Sequence, residues 1–126
     1  MRRRSTLRSC LVLFALTAVA GCNRRASLSA EAYAESIAAF HVSLAAMQTS
    51  QDALARRHLE RLTELVPEEP AGWANLGLLL LRQQQVDEAL QRITRASELA
   101  PRNASIHRLL ALAETQKGNP DAVIRH

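Results

Sequence analysis

Two segments of this 126-residue chain align at a spacing of about 34 residues, and this internal repeat limits the fold more than any other part of the sequence. A period of that length is typical of stacked helical units, each of which buries its apolar face against its neighbours. The pattern is clearest in residues 70–103. Its residues are Trp73, Leu76, Gly77, Leu80, Ala89, Ile93, Ala96 and Pro101.

These residues occur at the spacings of W-x2-L-G-x2-Y, A-x3-F-x2-A and a closing P, so the segment resembles a tetratricopeptide repeat. It departs from the family pattern only at Leu80, where Tyr is usual, and at Ile93, where Phe is usual. The resemblance implies an all-α fold, in which antiparallel helix hairpins stack as a short α-solenoid.

The residue types of the repeat have a physical reason. Gly77 and Ala89 are expected where the two helices of one hairpin approach most closely, and Ala96 where the hairpin meets the next repeat. Pro101 ends the second helix because proline has no N–H and disfavours helix in the preceding residue. A Gly77→Val change should therefore cost about 3 kcal/mol or more by overpacking.

The same frame identifies two weaker repeats. An N-terminal one, in which Leu62 replaces the usual small residue, contains Val42, Ser43, Ala46, Ala55, Leu59, Leu62 and Pro67. A C-terminal one contains Leu110, Ala111, Gly118 and Val123 and stops at His126. Solenoids usually need about three repeats and a polar capping helix. Either helix 29–48 caps one end while the other is open, or, as we expect, the chain is the N-terminal piece of a longer protein.

The predicted helices cover residues 29–48, 51–65, 70–84, 86–99 and 104–117, with a stub from about 120 and no strand. Ser50, Asp87 and Asn103 are expected as N-cap or first-turn residues. Pro70 and Pro120 suit helix starts.

Residues 1–21 have the layout of an export signal. The n-region MRRRSTLRS is positive, and the eleven residues from Cys10 to Ala20 are apolar. A membrane-spanning helix needs about 20 apolar residues, so this run is too short to span.

Val19-Ala20-Gly21-Cys22 resembles the lipobox of bacterial lipoproteins. The resemblance implies cleavage before Cys22, a diacylglyceryl thioether on its sulfur and acylation of the new amino terminus, with palmitate as a usual acyl group. Residues 22–29 then form a lipidated tether, and residues 30–126 form the repeat domain. Asn23 favours the outer membrane if the cell is Gram-negative. Two alternatives remain open: secretory cleavage after Ala18-Val19-Ala20, and an uncleaved anchor.

Charge and composition exclude several function classes. Four of the sixteen basic residues precede Cys22, so the rest of the chain carries twelve basic and twelve acidic groups. Without a basic excess, and with only Tyr33, Phe40 and Trp73 as aromatic residues after the leader, nucleic-acid binding is not expected. Cys22 would be the sole mature cysteine, which leaves no disulfide and no thiolate metal site.

We expect no enzyme, cofactor, metal or small-molecule substrate. No phosphate-binding, nucleophile-elbow or HExxH motif is present, and the four histidines have no metal-ligand spacing. Carboxylate pairs such as Glu68 and Glu69 are expected on solvated surfaces.

The family resemblance implies a binding surface instead, because its inner helices line a concave groove. The corresponding residues here include an apolar column, Leu44, Leu78 and Leu112, which occupy the same position in the three repeats. Leucine at this position argues against a carboxylate clamp. The alternative is that these leucines pack within the chain. The predicted groove residues are Phe40, Leu44, Met47, Ala74, Leu78, Leu81, Arg82, Arg108 and Leu112.

Two functions compete. The first is a membrane-tethered scaffold of the bacterial envelope that binds another envelope protein or a peptide segment, either an amphipathic helix or an extended segment with apolar anchors and negative charge. The second is an accessory domain of a larger exported protein whose catalytic or propeller part lies beyond His126. The scaffold alone does not decide between them.

Overall fold

The computed structural model describes residues 28–118, and this part of the chain forms five α-helices and no strand. Their bounds lie within two residues of the predicted ones. The stub predicted from residue 120 and the leader with Cys22 lie outside the described residues. The helices are α1 (Ala30–Gln48), α2 (Asp52–Leu65), α3 (Pro70–Arg82), α4 (Val86–Leu99) and α5 (Ala104–Gly118).

Local sequence sets the helix starts. Ser29 Oγ accepts a hydrogen bond from the backbone N–H of Ala32 at 3.1 Å at the start of α1. Asn103 Oδ1 accepts bonds of 3.0 and 3.3 Å from N–H groups of the first turn of α5, as its cap position predicted. Pro70 is the first residue of α3, where its missing N–H costs nothing, and Asp87 lies in the first turn of α4.

The turns inside the two hairpins have the same backbone form. Ser50 and Gln84, which occupy equivalent positions in successive repeats, have positive φ angles of 56° and 61°. In the first turn the N–H of Gln51 donates to the carbonyl of Ala46 at 2.8 Å, and the equivalent bond in the second is 2.9 Å. This is the Schellman arrangement that ends helices. The prediction of Ser50 as a helix N-cap was therefore wrong, because Ser50 belongs to the end of α1 and Gln51 precedes α2.

The helices pair as hairpins, and the hairpins stack in chain order. Helix α1 packs against α2 and α3 against α4, while α2 contacts α3 and α4 contacts α5. Helices α3 and α4 approach closely at Gly77, where an added Cβ would overlap Cγ1 of Ile93 and lie 3.2 Å from the carbonyl oxygen of Ala89. Only a residue without a side chain fits between these helices.

Two interfaces between successive hairpins are filled in opposite ways. Leu62 of α2 faces Gly72 of α3, whose ideal Cβ would be 3.3 Å from Leu62 Cδ2. In the next interface the equivalent positions carry Ala96 and Ile106, both buried. In the first interface the large residue belongs to the second helix of the preceding hairpin, and in the second interface it belongs to the first helix of the following repeat. Leu62, an apparent departure from the repeat pattern, is thus compensated by Gly72.

Each hairpin is also tied to the next through the proline that ends it. Trp73 Nε1 donates to the carbonyl oxygen of Pro67 at 2.9 Å, and the guanidinium of Arg92 lies 5.8 Å from the centre of the Trp73 ring. His107, which takes the place of Trp73 in the next repeat, has its Nε2 2.8 Å from the carbonyl oxygen of Pro101. Both contacts fix the first helix of one repeat to the end of the preceding repeat.

Candidate partner-binding surface

The groove predicted from the repeat runs along α1, α3 and α5, the first helices of the three repeats. Its leucine column differs in exposure along the stack. Leu44 and Leu78 are half-buried, whereas Leu112 on α5 is 49% exposed. An exposed Leu112 does not thicken the core of residues 28–118. The column is thus accessible to a partner mainly at its C-terminal end.

A hollow of about 420 Å³ lies between α3 and α5. Helix α3 lines it with Ala71, Ala74 and Leu78, and α5 lines it with Ser105 and Leu109. The small residues of α3 leave the space, because a larger side chain at position 71 or 74 would occupy it. The structure therefore brings together two of the predicted groove residues, Ala74 and Leu78, at an apolar floor.

Leu81 differs from its prediction. The repeat frame placed it in the groove, but its side chain is only 5% exposed and packs in the core together with Leu79 and Leu80. A run of four leucines, 78–81, covers more than one face of a helix, so the pattern alone does not separate groove from core. Leu81 is a core residue.

Arg82 is held by the first hairpin. Its Nη1 donates to the carbonyl oxygen of Met47 at 2.9 Å, and its Nη2 lies 3.0 Å from Asp52 Oδ1. The guanidinium thus joins the end of α1, the start of α2 and the end of α3. Arg108 is exposed, and Nη2 donates to Ser105 Oγ at 3.1 Å on its own helix. Arg108 thus reaches the α3–α5 hollow only through Ser105, and, unlike Arg82, it pairs with no carboxylate among residues 28–118.

A second hollow, of about 350 Å³, lies where α1 meets the end of α2 and the start of α3. Tyr33, Ile37 and Phe40 line it from α1, and Leu62 and Val66 line it from α2. Of these five residues, only Phe40 was among the predicted groove residues. Ile37 occupies the repeat position of Ala71 and Ser105, so the 34-residue spacing could have identified it as a groove residue. Met47, also predicted, is half-buried against the core.

The charged side chains of the described residues form surface links between helices. Arg61 donates to Glu35 at 2.7 Å, and this hydrogen bond holds the pKa of the Glu35 carboxyl below its ordinary value. Arg56 bridges two hairpins, with Nε 2.9 Å from Glu60 and Nη2 3.2 Å from Glu88. The hydrogen bond with Glu60 is the main reason that the pKa of Arg56 is raised. These groups connect helices across the surface.

Residues 28–118 contain no group of three or more His, Cys, Asp or Glu side chains placed to hold a metal ion. Within the same range, each helix is too short or too polar to cross a bilayer.

Comparison with known proteins agrees with the repeat frame. The sequence model of the family described as "Tetratricopeptide repeat" matches residues 43–92 and again residues 76–122. The two matches together cover more than half of the chain and overlap in α3 and α4. No curated protein matches the sequence.

Proposed function

The chain belongs to the tetratricopeptide repeat family, whose domains are in general scaffolds for protein–protein interaction; from this and from the lipobox-like sequence at Cys22 we propose that it is a membrane-tethered scaffold of the bacterial envelope. Its repeats would hold another envelope protein, and a lipid on Cys22 would hold the repeats at the membrane. The role is binding rather than catalysis.

The observation that supports partner binding is the open apolar hollow between α3 and α5. Its floor includes Leu78, and Leu112 continues the same leucine column as an exposed side chain. Leu112 is exposed about one turn along α5 from Leu109, which lines the hollow, and such an apolar side chain favours a partner that buries it.

The chemistry of the hollow favours one kind of partner segment. Apolar side chains at helical or alternate spacing would fill the space beside Ala74 and Leu78. Arg108, which is exposed and donates to Ser105 of the hollow, would attract a carboxylate of the same segment. Because Arg82 already pairs with Asp52, a single negative charge near Arg108 suits the site better than an acidic run.

The tether rests on the sequence around Cys22. Two or more acyl chains hold a protein stably on a bilayer, at about 0.8 kcal/mol for each buried CH₂. Cells that express the full chain should incorporate labelled palmitate, and a Cys22→Ala variant should not. Unlabelled protein with a free thiol at residue 22 would contradict the tether. An outer-membrane location, favoured by Asn23 in a Gram-negative cell, is checked by density separation of the two membranes.

The binding half is tested by capture from detergent-solubilised envelope, with mass spectrometry of the bound proteins. Three baits are compared: the wild type, a variant with both Leu78→Ser and Leu112→Ser, and a matched control with Val42→Ser. Val42 is an exposed apolar residue that lines neither hollow. We expect a protein that binds the wild type and the control but not the double variant, at unchanged melting temperature. Unfolding of the double variant would instead show that these leucines stabilise the fold, which would contradict a role in binding alone.

A further inference from the structure

The exposed large apolar residues of this protein are unevenly distributed. Among residues 28–118, four of the five lie between positions 28 and 42, in α1 or just before it. Single exposed apolar residues are ordinary on a protein surface, whereas a cluster marks a surface that contacts something else. The cluster consists of Leu28, Tyr33, Ile37 and Val42, with exposed fractions from 38% to 60%.

Three of these residues share one side of the molecule. Leu28, Tyr33 and Ile37 line the hollow of about 350 Å³ between α1 and the α2–α3 turn, together with half-buried Phe40. Tyr33 and Ile37 are four residues apart and therefore lie one above the other on α1. Val42 lies about 140° around the helix from Ile37. We call the surface formed by Leu28, Tyr33, Ile37 and Phe40 the α1 apolar face.

We infer that the α1 apolar face lies on the phospholipid bilayer, with Tyr33 and Ile37 inserted at the level of the head groups. The inference rests on the proposed lipid anchor. Leu28 is only the sixth residue after Cys22, so the acylated cysteine holds Leu28 within about 20 Å of the lipid, even if the chain between them is fully extended. The apolar surface thus sits at the end of the described chain that the anchor brings to the membrane.

The residues of this face suit a bilayer surface. Tyrosine, with an apolar ring and a polar hydroxyl, is enriched at membrane interfaces, and Tyr33 is its most exposed member at 60%. The acidic side chains of α1, Glu31 and Glu35, lie off this face, and Glu35 pairs with Arg61 of α2. The one carboxylate beside the hollow, Glu69, accepts a hydrogen bond from the N–H of Ala71 at 3.2 Å. Contact with lipid here therefore leaves the anionic groups of α1 in water.

Such a contact would also orient the scaffold. The hairpins stack in chain order, so α1 forms one end of the stack and α5 the other. With α1 on the bilayer, α5 lies at the end of the stack away from the lipid. A lipid tether alone would leave this orientation free.

Single-cysteine variants test this inference, because the sulfur of Cys22 is capped by lipid. The full chain is expressed with Tyr33→Cys, Ile37→Cys, Val42→Cys or Gln91→Cys, purified in lipidated form, spin-labelled and reconstituted into phosphatidylcholine vesicles. Val42 is the matched control, with exposure close to that of Ile37 on another side of the same helix, and Gln91 is an exposed residue of α4. The measurement is the ratio of label accessibility to oxygen, which concentrates in lipid, and to a water-soluble nickel chelate.

We expect the ratio at positions 33 and 37 to exceed that at 42 and 91 in protein that floats with the vesicles. Equal, water-like ratios at all four positions in floating protein would overturn the inference and leave the anchor intact. Spin–spin coupling between labels at position 37 would show that a second copy covers the face, which also overturns it. Protein that does not float at all would refute the anchor itself.

Discussion

The opposite filling of the two hairpin interfaces leads to a specific mutational test. Replacing Leu62 by Ala and Gly72 by Ile in one chain reproduces, in the first interface, the arrangement that Ala96 and Ile106 form in the second. If the interface needs one large and one small residue and either position can supply the large one, the double variant should be much more stable than either single variant.

The structure sets the size of each effect. Leu62 is 3% exposed, so Leu62→Ala should cost about 2–5 kcal/mol through lost burial and a cavity. The added Cβ of Gly72→Ile would lie 3.3 Å from Leu62 Cδ2 before its remaining three carbons are counted. Overpacking of this kind costs about 1–3 kcal/mol. A higher helix propensity of Ile over Gly returns roughly 0.5 kcal/mol.

The double variant should lose less than about 1.5 kcal/mol, the usual limit for swaps that conserve volume. The coupling energy would then be about 1 kcal/mol or more, above the few tenths found for independent sites. The assay is urea unfolding followed by circular dichroism at 222 nm on a Cys22→Ser chain beginning at residue 22, with equal m-values as a condition. A double variant whose loss equals the sum of the single losses would refute the exchange of volume.

Further predictions concern the helix approach, the turns and one ion pair. Gly77→Ala should destabilise by about 1–3 kcal/mol in the same assay, because its Cβ overlaps Ile93 Cγ1, whereas Gly118→Ala, with nothing within 4 Å, should change stability by less than about 0.5 kcal/mol. Ser50→Gly should stabilise by about 0.5–1 kcal/mol, since Ser50 has a φ of 56°; a loss of stability would contradict the strain. Glu35→Gln should lower the melting temperature at pH 7. That difference should vanish as the pH falls below 4.5, because the pKa of Glu35 is lower in the folded state, and a difference that grows in acid would exclude this.

Much of the fold was predictable because the sequence marks its own helix ends. Pro70 begins α3, Asn103 caps α5, and a proline follows α2 and α4. The repeat pattern then predicted which helices pair. The pairing of α3 with α4, for example, requires glycine at position 77, because a side chain there would overlap Ile93. These signals are local or periodic, and one sequence is enough to read them.

What was missed depends on three-dimensional context. Ser50 adopts a left-handed backbone conformation, and no glycine at this position indicates it in the sequence. Leu81 is one of four consecutive leucines, and only the packing of α3 shows that it is buried. The bonds of Arg82 to Asp52 and to the Met47 carbonyl join helices that lie far apart in the sequence, which no local pattern reports.

The claim that the α3–α5 hollow binds a partner is tested most directly by photo-crosslinking in the living cell. A benzophenone amino acid is placed at position 112, about one turn along α5 from Leu109 of the hollow, or at position 91, on the exposed side of α4. We predict one crosslinked protein that is specific to position 112 and is lost when Leu78→Ser is added. The same crosslinks at both positions, or a crosslink at 112 that survives Leu78→Ser in a folded chain, would contradict the claim.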